Sequence, residues 1–288
     1  PATTEAEPEA TEPATTEAAG TDGGESAGGE ISLAWIPWEE NIANTNLWAE
    51  ILENEGYDVT MQQLDVAPTF QAVADGDRDI FLDVWLPGTH AQYWDEFGEQ
   101  VEDLGSWYDE ATLELSVPAY VDEVDSLADL ADNADLFDGE IIGIEAGAGM
   151  MGLLRDDVVP AYGLDDWTVV ESSTPAMRTE LQAAYENEEP IVVTLWSPHP
   201  EYADKDLKKL EDPEGAWGDA EQLHAIARPG FSEEFPEVAT WIENFEMTFD
   251  QIHDLEGRIA DAGEGNERQA AAEWIEANQD VVDGWLTS

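Results

Sequence analysis

The sequence predicts an α/β protein with a two-lobed fold, each lobe a mostly parallel sheet flanked by helices, with a hinge between the lobes. Three observations predict it. A β-α-β-α-β succession occupies residues 31–85, a second with the same layout occupies residues 141–196, and a strand-like stretch at Leu223–Arg228 precedes a helical close. Short apolar runs alternating with amphipathic stretches imply parallel strands with crossover helices on their faces. Two such units, joined by crossings near 113–121 and 223–228, leave a cleft between lobes as the natural ligand site, with hinge-like closure.

Residues 1–30 are mainly Thr, Glu, Ala, Pro, Gly and Ser, with no aromatic or large aliphatic residue before Ile31. That composition cannot bury a core and reads as a disordered acidic tether. Ile31–Trp38 is a strand. Ile42–Glu55 is a helix, with Asn44 or Thr45 as candidate caps and Gly56 as its stop. Tyr57–Leu64 alternates and reads as a strand, Thr69–Asp75 as a short helix, and Ile80–Trp85 as the third strand. Ala91–Val101 is a helix with Tyr93, Trp94 and Phe97 on its apolar side, and Leu113–Val121 is a strand leading away. This first part of lobe one covers 31–115; lobe two covers 116–222.

In lobe two, Ile141–Glu145 is a strand, followed by a Gly-rich turn into a helix that ends near Tyr162-Gly163. Trp167–Glu171 is a strand, Pro175–Asn187 a helix with caps offered by Ser172–Thr174, and Ile191–Trp196 a strand. Residues 223–288 return to lobe one as a strand and three helical segments, Glu237–Phe245, Phe249–Ala262 and Glu267–Trp285.

Charge narrows the function. Nine Lys and Arg stand against 68 Asp and Glu, a net charge of −59 spread along all 288 residues. Such a field repels nucleic acid and anionic membrane surfaces and strains the fold by self-repulsion. At molar salt the Debye length falls to about 3 Å and the repulsion is screened, so a halophilic setting is the economical explanation. Cysteine is absent, which excludes disulfides, thiolate metal sites and a Cys nucleophile. No apolar run reaches the length of a membrane span. The first residue is Pro, and a removed N-terminal segment carrying a lipid anchor is the expectation. No Gly-x-Ser-x-Gly elbow, His-Glu-x-x-His motif or metal-ligand spacing is present, and among 68 acids a carboxylate pair is no sign of acid–base catalysis.

Three predicted strands end in the same way. Trp38 follows a strand stopped at Pro37, Trp85 precedes Pro87-Gly88, and Trp196 precedes Ser197-Pro198. Ligands bind at the carboxyl ends of strands in open α/β sheets. One such Trp alone reads as core packing; three at equivalent places read as a convergent aromatic cage, which attracts cations through ring quadrupoles. A quaternary ammonium donates no hydrogen bond, so a cage is the way to hold one. Trp35, two residues before Trp38, has no assigned role. Gly147-Ala148-Gly149-Met150 opens a helix and reads either as a tight turn or as an anion nest of backbone N–H groups. His90, five residues beyond Trp85, is either a ligand contact or a satisfied interlobe His, and His199 reads as a stabiliser of its own loop.

Taken together, Trp35-Ile-Pro-Trp-Glu-Glu-Asn-Ile-Ala-Asn-Thr-Asn-Leu47, Asp83-Val-Trp-Leu-Pro-Gly-Thr-His90, Ile142-Gly-Ile-Glu-Ala-Gly-Ala-Gly-Met-Met151, Thr194-Leu-Trp-Ser-Pro-His199 and Glu221-Gln-Leu-His-Ala-Ile-Ala-Arg-Pro-Gly-Phe231 resemble the glycine-betaine/proline-betaine-binding proteins of osmoregulatory ABC importers, from about Ile31 to Trp285. The resemblance implies a periplasmic-binding-protein fold and no enzymatic activity, cofactor or metal. It implies a ligand ammonium among Trp38, Trp85 and Trp196, and a ligand carboxylate on the backbone amides of Gly149 and Met150 and on His90. It further implies an ABC permease as partner, a monomer, and an extracytoplasmic location at the cell surface, lipid-anchored to the outer face of the cytoplasmic membrane. The alternative is a receptor for choline, carnitine or another quaternary amine. Two positions depart from the family pattern: Pro200, where an aromatic is common, and Met150, where an aliphatic residue is usual.

Overall fold

The computed structural model describes residues 28–287, so the tether expected over 1–30 lies outside the described residues except for its last three positions. Of those, Glu30 already opens the first strand. Strands β1 (Glu30–Trp35), β2 (Asp58–Gln63) and β3 (Ile80–Leu86) pair in parallel in the order β2-β1-β3, with helices α1 (Glu39–Asn54) and α2 (Val66–Ala74) as the crossovers. After α3 (Ala91–Phe97) comes β4 (Glu102–Pro118), a strand of 17 residues that runs from this sheet into the next. There, β5 (Glu140–Ile142), β6 (Thr168–Val170) and β7 (Val193–Ser197) repeat the parallel order β6-β5-β7. Helix α4 (Gly149–Leu153) continues through a π-turn into α5 (Val159–Ala161), and α6 (Thr174–Asn187) is the second crossover. Short α7 (Glu201–Asp204) and β8 (Leu207–Lys209) follow, and β9 (Glu221–Ala227) inserts antiparallel between β3 and β4. The chain closes with α8 (Phe231–Glu234), α9 (Pro236–Glu243), α10 (Phe249–Ala262), α11 (Glu267–Ala277) and α12 (Gln279–Trp285).

The parallel strands read as continuous apolar runs because both faces are covered. Every residue of β3 from Ile80 to Trp85 is buried, and Leu33, Leu47, Trp48, Phe70, Phe81 and Trp274 sit in the same core. Edge strand β2 is largely exposed and correspondingly polar. Helices α10 and α11 pack on α1, which returns the end of the chain to the first sheet.

Four expectations need correction. Helix α1 starts at Glu39, three residues before the expected Ile42, and neither Asn44 nor Thr45 caps it. Trp38 occupies the cap position without a capping bond from its side chain, while Asn44 and Thr45 point inward and join Asn41; Asn44 donates to the Leu82 carbonyl at 3.1 Å. Acidic Glu39, in the first turn, favours the helix N-terminus through the dipole instead. Strand β4 begins eleven residues before the expected Leu113, because its first part pairs with β9 and tolerates the polar residues of Glu102–Thr112. The expected helix over Glu267–Trp285 breaks at Asn278 into α11 and α12. Elements β8, α7 and α8 had no sequence signal at three or four residues each.

Candidate functional site

The two parallel sheets present their carboxyl ends to one another. In each half the first and third strands of the unit end at the cleft: β1 and β3 on one side, β5 and β7 on the other. A small cavity lies there, lined by Trp38, Trp85 and Trp196 together with Gly149, Met150 and five neighbours, among them Glu40 and Thr89. All three Trp are at most 4% exposed. Trp38 and Trp196 approach with ring centroids 6.5 Å apart and planes tilted by 60°. Each indole N–H is directed at a carboxylate: Trp38 Nε1 to Glu145 Oε2 at 3.4 Å, Trp85 Nε1 to Asp83 Oδ1 at 3.2 Å, and Trp196 Nε1 to Glu40 Oε2 at 2.7 Å. The polar edges of the three indoles are thus satisfied within the protein.

The turn after Trp85 is fixed by a buried acid. Glu221, from β9, accepts hydrogen bonds from the Gly88 and Thr89 N–H groups, both at 2.9 Å, and from Thr89 Oγ1 at 2.5 Å. The Thr89 carbonyl faces Gly149 across the cleft so closely that a Cβ on Gly149 would lie 1.7 Å from its oxygen. Nearby, Tyr93 Oη donates to the Gly147 carbonyl at 2.8 Å. Gly149 and Met150 are the first two residues of α4, where backbone N–H groups have no acceptor within the helix.

His90 is not among the residues that line the cavity. It stacks on Trp38 with centroids 5.7 Å apart and meets Phe70 and Tyr93 edge-on. Its Nδ1 accepts the Trp85 backbone N–H at 2.9 Å, which places the ring proton on Nε2, and Nε2 is buried with no partner among the described residues. Burial holds the imidazole neutral, its pKa depressed to about 3. His199 lies edge-on to Trp196 at 4.5 Å, its Nδ1 accepting the Glu201 N–H at 3.1 Å and its Nε2 3.2 Å from Glu39 Oε2. Trp35 ends β1 beside Gln63 of β2 and does not line the cavity. Pro200 occupies the cap position of α7.

An acidic layer that the sequence did not single out surrounds the cage. Glu39 bridges the halves by accepting from Arg178, which also binds Glu201 at 2.7 Å. Burial pulls the Glu39 pKa upward, but His199 and Arg178 outweigh it and hold the carboxyl below its usual value. Its neighbour Glu40 goes the other way: burial, then the charges of Asp83 and Glu256, raise its pKa well above the ordinary value. Burial raises Asp83 to about 7. Burial also raises Glu256, with Glu39 and Asp83 adding to the effect. The one signal in the sequence for Glu40 is its place in the first turn of α1, two residues after Trp38.

Comparison with known proteins gives a family match over residues 29–277 to the substrate-binding domain of ABC-type glycine betaine transport systems. The glycine betaine/carnitine transport binding protein GbuC of Listeria monocytogenes is 40% identical over 147 residues, which is 50% of this chain and 48% of that protein. The chain thus spans about half the length of this curated relative. Lactococcal OpuAC, in its closed form with glycine betaine, superposes with a TM-score of 0.83 at 33% identity, covering 90% of this chain and 99% of that one. An ABC-transporter choline-binding protein in complex with choline superposes with a TM-score of 0.81 at 28% identity, covering 89% and 91%. The two-lobed binding-protein fold expected from the sequence is the fold these structures share.

Proposed function

The chain belongs to the family of substrate-binding domains of ABC-type glycine betaine transport systems, a family of binding proteins and not of enzymes, and on that premise we propose that it captures glycine betaine or proline betaine outside the cytoplasm and delivers it to an ABC permease. One observation carries the reading: Trp38, Trp85 and Trp196, from strand ends in both halves, line one cavity together with the first residues of α4. The ammonium head sits against the indole faces, each contact contributing about 0.5–2 kcal/mol and more when desolvated. The carboxylate is received by the N–H groups of Gly149 and Met150 at the helix start and by the Nε2–H of His90, a buried donor without a protein partner. Because each half supplies part of this set, the ligand favours the closed arrangement by population shift. The protein acts as a monomer and docks on the permease when closed.

A second reading, a receptor for choline, carnitine or another quaternary amine, is favoured by the likeness to the choline-binding structure and by a carboxyl, Glu40, in the cavity wall. Titration calorimetry in molar KCl separates the two. With wild-type protein, glycine betaine and proline betaine should give binding heats and choline little or none. His90→Ala should weaken betaine binding about tenfold more than any choline response, the worth of a buried hydrogen bond to a charged group, since the lost stacking on Trp38 touches both ligands alike. Binding of choline alone would overturn the carboxylate half of the reading.

A further inference from the structure

Three carboxyls are buried behind the cage: Glu40 on α1, Asp83 on β3 and Glu256 on α10, at 1%, 0% and 2% exposure. Two of them are tied to it by hydrogen bonds. Glu40 accepts from the Trp196 indole of one half at 2.7 Å, Asp83 accepts from the Trp85 indole of the other at 3.2 Å, and the second Asp83 oxygen, Oδ2, is buried with no partner among the described residues other than the one the neighbouring Glu40 carboxyl could supply. Two carboxyls hydrogen-bond only when one of them holds a proton. Glu40 also lines the cavity, and neither oxygen of Glu256 has a partner among the described residues.

We propose that Glu40 and Asp83 are a proton-sharing pair that positions two cage indoles and supplies the counter-charge for the ligand's ammonium group. The proposal rests on the betaine reading above. The aromatic faces attract any cation weakly; a full negative charge in a dry wall discriminates a cation from a neutral group of the same shape. The groups that face the pair are Glu39 beside it on α1, Glu256 from α10 and, beyond Glu256, Arg178 from α6. The Glu39 charge and the dry surroundings of the pair therefore oppose its full ionisation until a cation is seated. Seating the ammonium favours the ionised form, and the displaced proton goes to solvent. By linkage, affinity rises with pH until the free pair is itself ionised. Burial lifts both carboxyls, Asp83 to about 7, which puts this titration within reach of experiment.

The test is titration calorimetry of the full chain in molar KCl from about pH 6 to 8.5, in two buffers of different ionisation enthalpy. Glycine betaine is compared with 3,3-dimethylbutanoate, which has the same shape and carboxylate but a neutral head. Wild-type protein should release up to about one proton on binding betaine, and its betaine affinity should rise about tenfold over that range, as a one-unit shift of the pair requires. Glu40→Gln keeps an acceptor for Trp196 and removes the charge. It should lose about tenfold or more in betaine affinity, lose the pH slope, and leave the affinity for 3,3-dimethylbutanoate unchanged. Indole ¹⁵N–¹H resonances of Trp85 and Trp196 should move together with one pH midpoint, and Glu40→Gln should abolish both movements. A betaine affinity flat with pH, with no proton released, would overturn the pair while leaving the betaine reading intact. Absence of betaine binding by folded wild-type protein would overturn both.

Discussion

Gly149→Ala is the perturbation that the cleft geometry defines most sharply. A methyl group there would lie 1.7 Å from the Thr89 carbonyl oxygen, where ordinary contact begins at 3.4 Å, so the halves must part by about 1.7 Å. Thr89 cannot yield locally, because Glu221 holds its N–H and its hydroxyl. The same separation would stretch the Tyr93–Gly147 hydrogen bond from 2.8 Å to beyond about 4 Å, where it no longer exists. Overpacking contributes about 1–3 kcal/mol and the lost hydrogen bond about 1 kcal/mol, both borne only by the closed form. At about 1.4 kcal/mol per decade, the betaine Kd should rise roughly 30- to 1000-fold. The open form should not suffer. Gly149 has an ordinary helical backbone rather than a left-handed one, and Ala is the better helix former, so the melting temperature without ligand should hold or rise. Calorimetric titration gives the affinity, and small-angle scattering with and without glycine betaine gives closure. A variant that binds within twofold of wild type and still compacts with ligand would refute the claim that this glycine is required by the approach of the halves.

Trp38→Ala, Trp85→Ala and Trp196→Ala should each raise the betaine Kd by about tenfold or more without unfolding the protein, since each removes a ring face from the cage; unchanged affinity in all three, by the same titration, would sink the cage. Glu256→Gln should stabilise the fold at alkaline pH. The native Glu256 pKa is raised, so between its unfolded and folded values the native state holds a proton that the unfolded chain has released, and wild-type stability falls as pH rises. Thermal melts should show the variant's advantage growing from near zero at about pH 4.5 upward, and an advantage independent of pH would contradict that origin. His90 acts with the opposite slope: its pKa is depressed from 6.5 to about 3, so stability is lost as pH falls through that window, and His90→Gln should flatten the acid limb of the melting curve. Lowering KCl from about 1 M to 0.1 M lengthens the Debye length from about 3 to 10 Å and should lower the melting temperature of a chain with net charge −59; a flat response would remove self-repulsion as a factor.

The cage was legible because its signal is local. A short apolar strand, a Pro that stops it and a Trp at the junction occur together at Trp38, Trp85 and Trp196, and burial of parallel strands forces that pattern. The Gly-rich turn was legible as a turn, but what makes Gly149 necessary is the Thr89 carbonyl sixty positions away in the chain, which no local spacing reveals. His90 was found through its distance from Trp85, although the structure uses that spacing first to cap the Trp85 N–H and to stack on Trp38. The acidic layer was hidden by abundance. With 68 acids, Glu40, Asp83, Glu221 and Glu256 cannot be told from their solvated neighbours until burial separates them. The first part of β4 was missed for a related reason: Asp103, Gly105, Asp109 and Glu110 are poor strand formers alone, and pairing with β9 decides the matter.

The position of β9 between β3 and β4 has a consequence for how the chain folds. Residues 140–197 bring β5, β6 and β7 together through short crossovers, so that sheet can form from neighbouring sequence. The first sheet cannot be completed from its own neighbourhood, because β3 and β4 meet only through a strand at Glu221–Ala227. Until that segment arrives, β3 presents an unpaired apolar edge, which is a template for association with other chains. The rate-limiting event should therefore be the late, non-local insertion of β9. Variants that weaken its register should reveal themselves as aggregation during refolding, beyond what their loss of stability once folded accounts for.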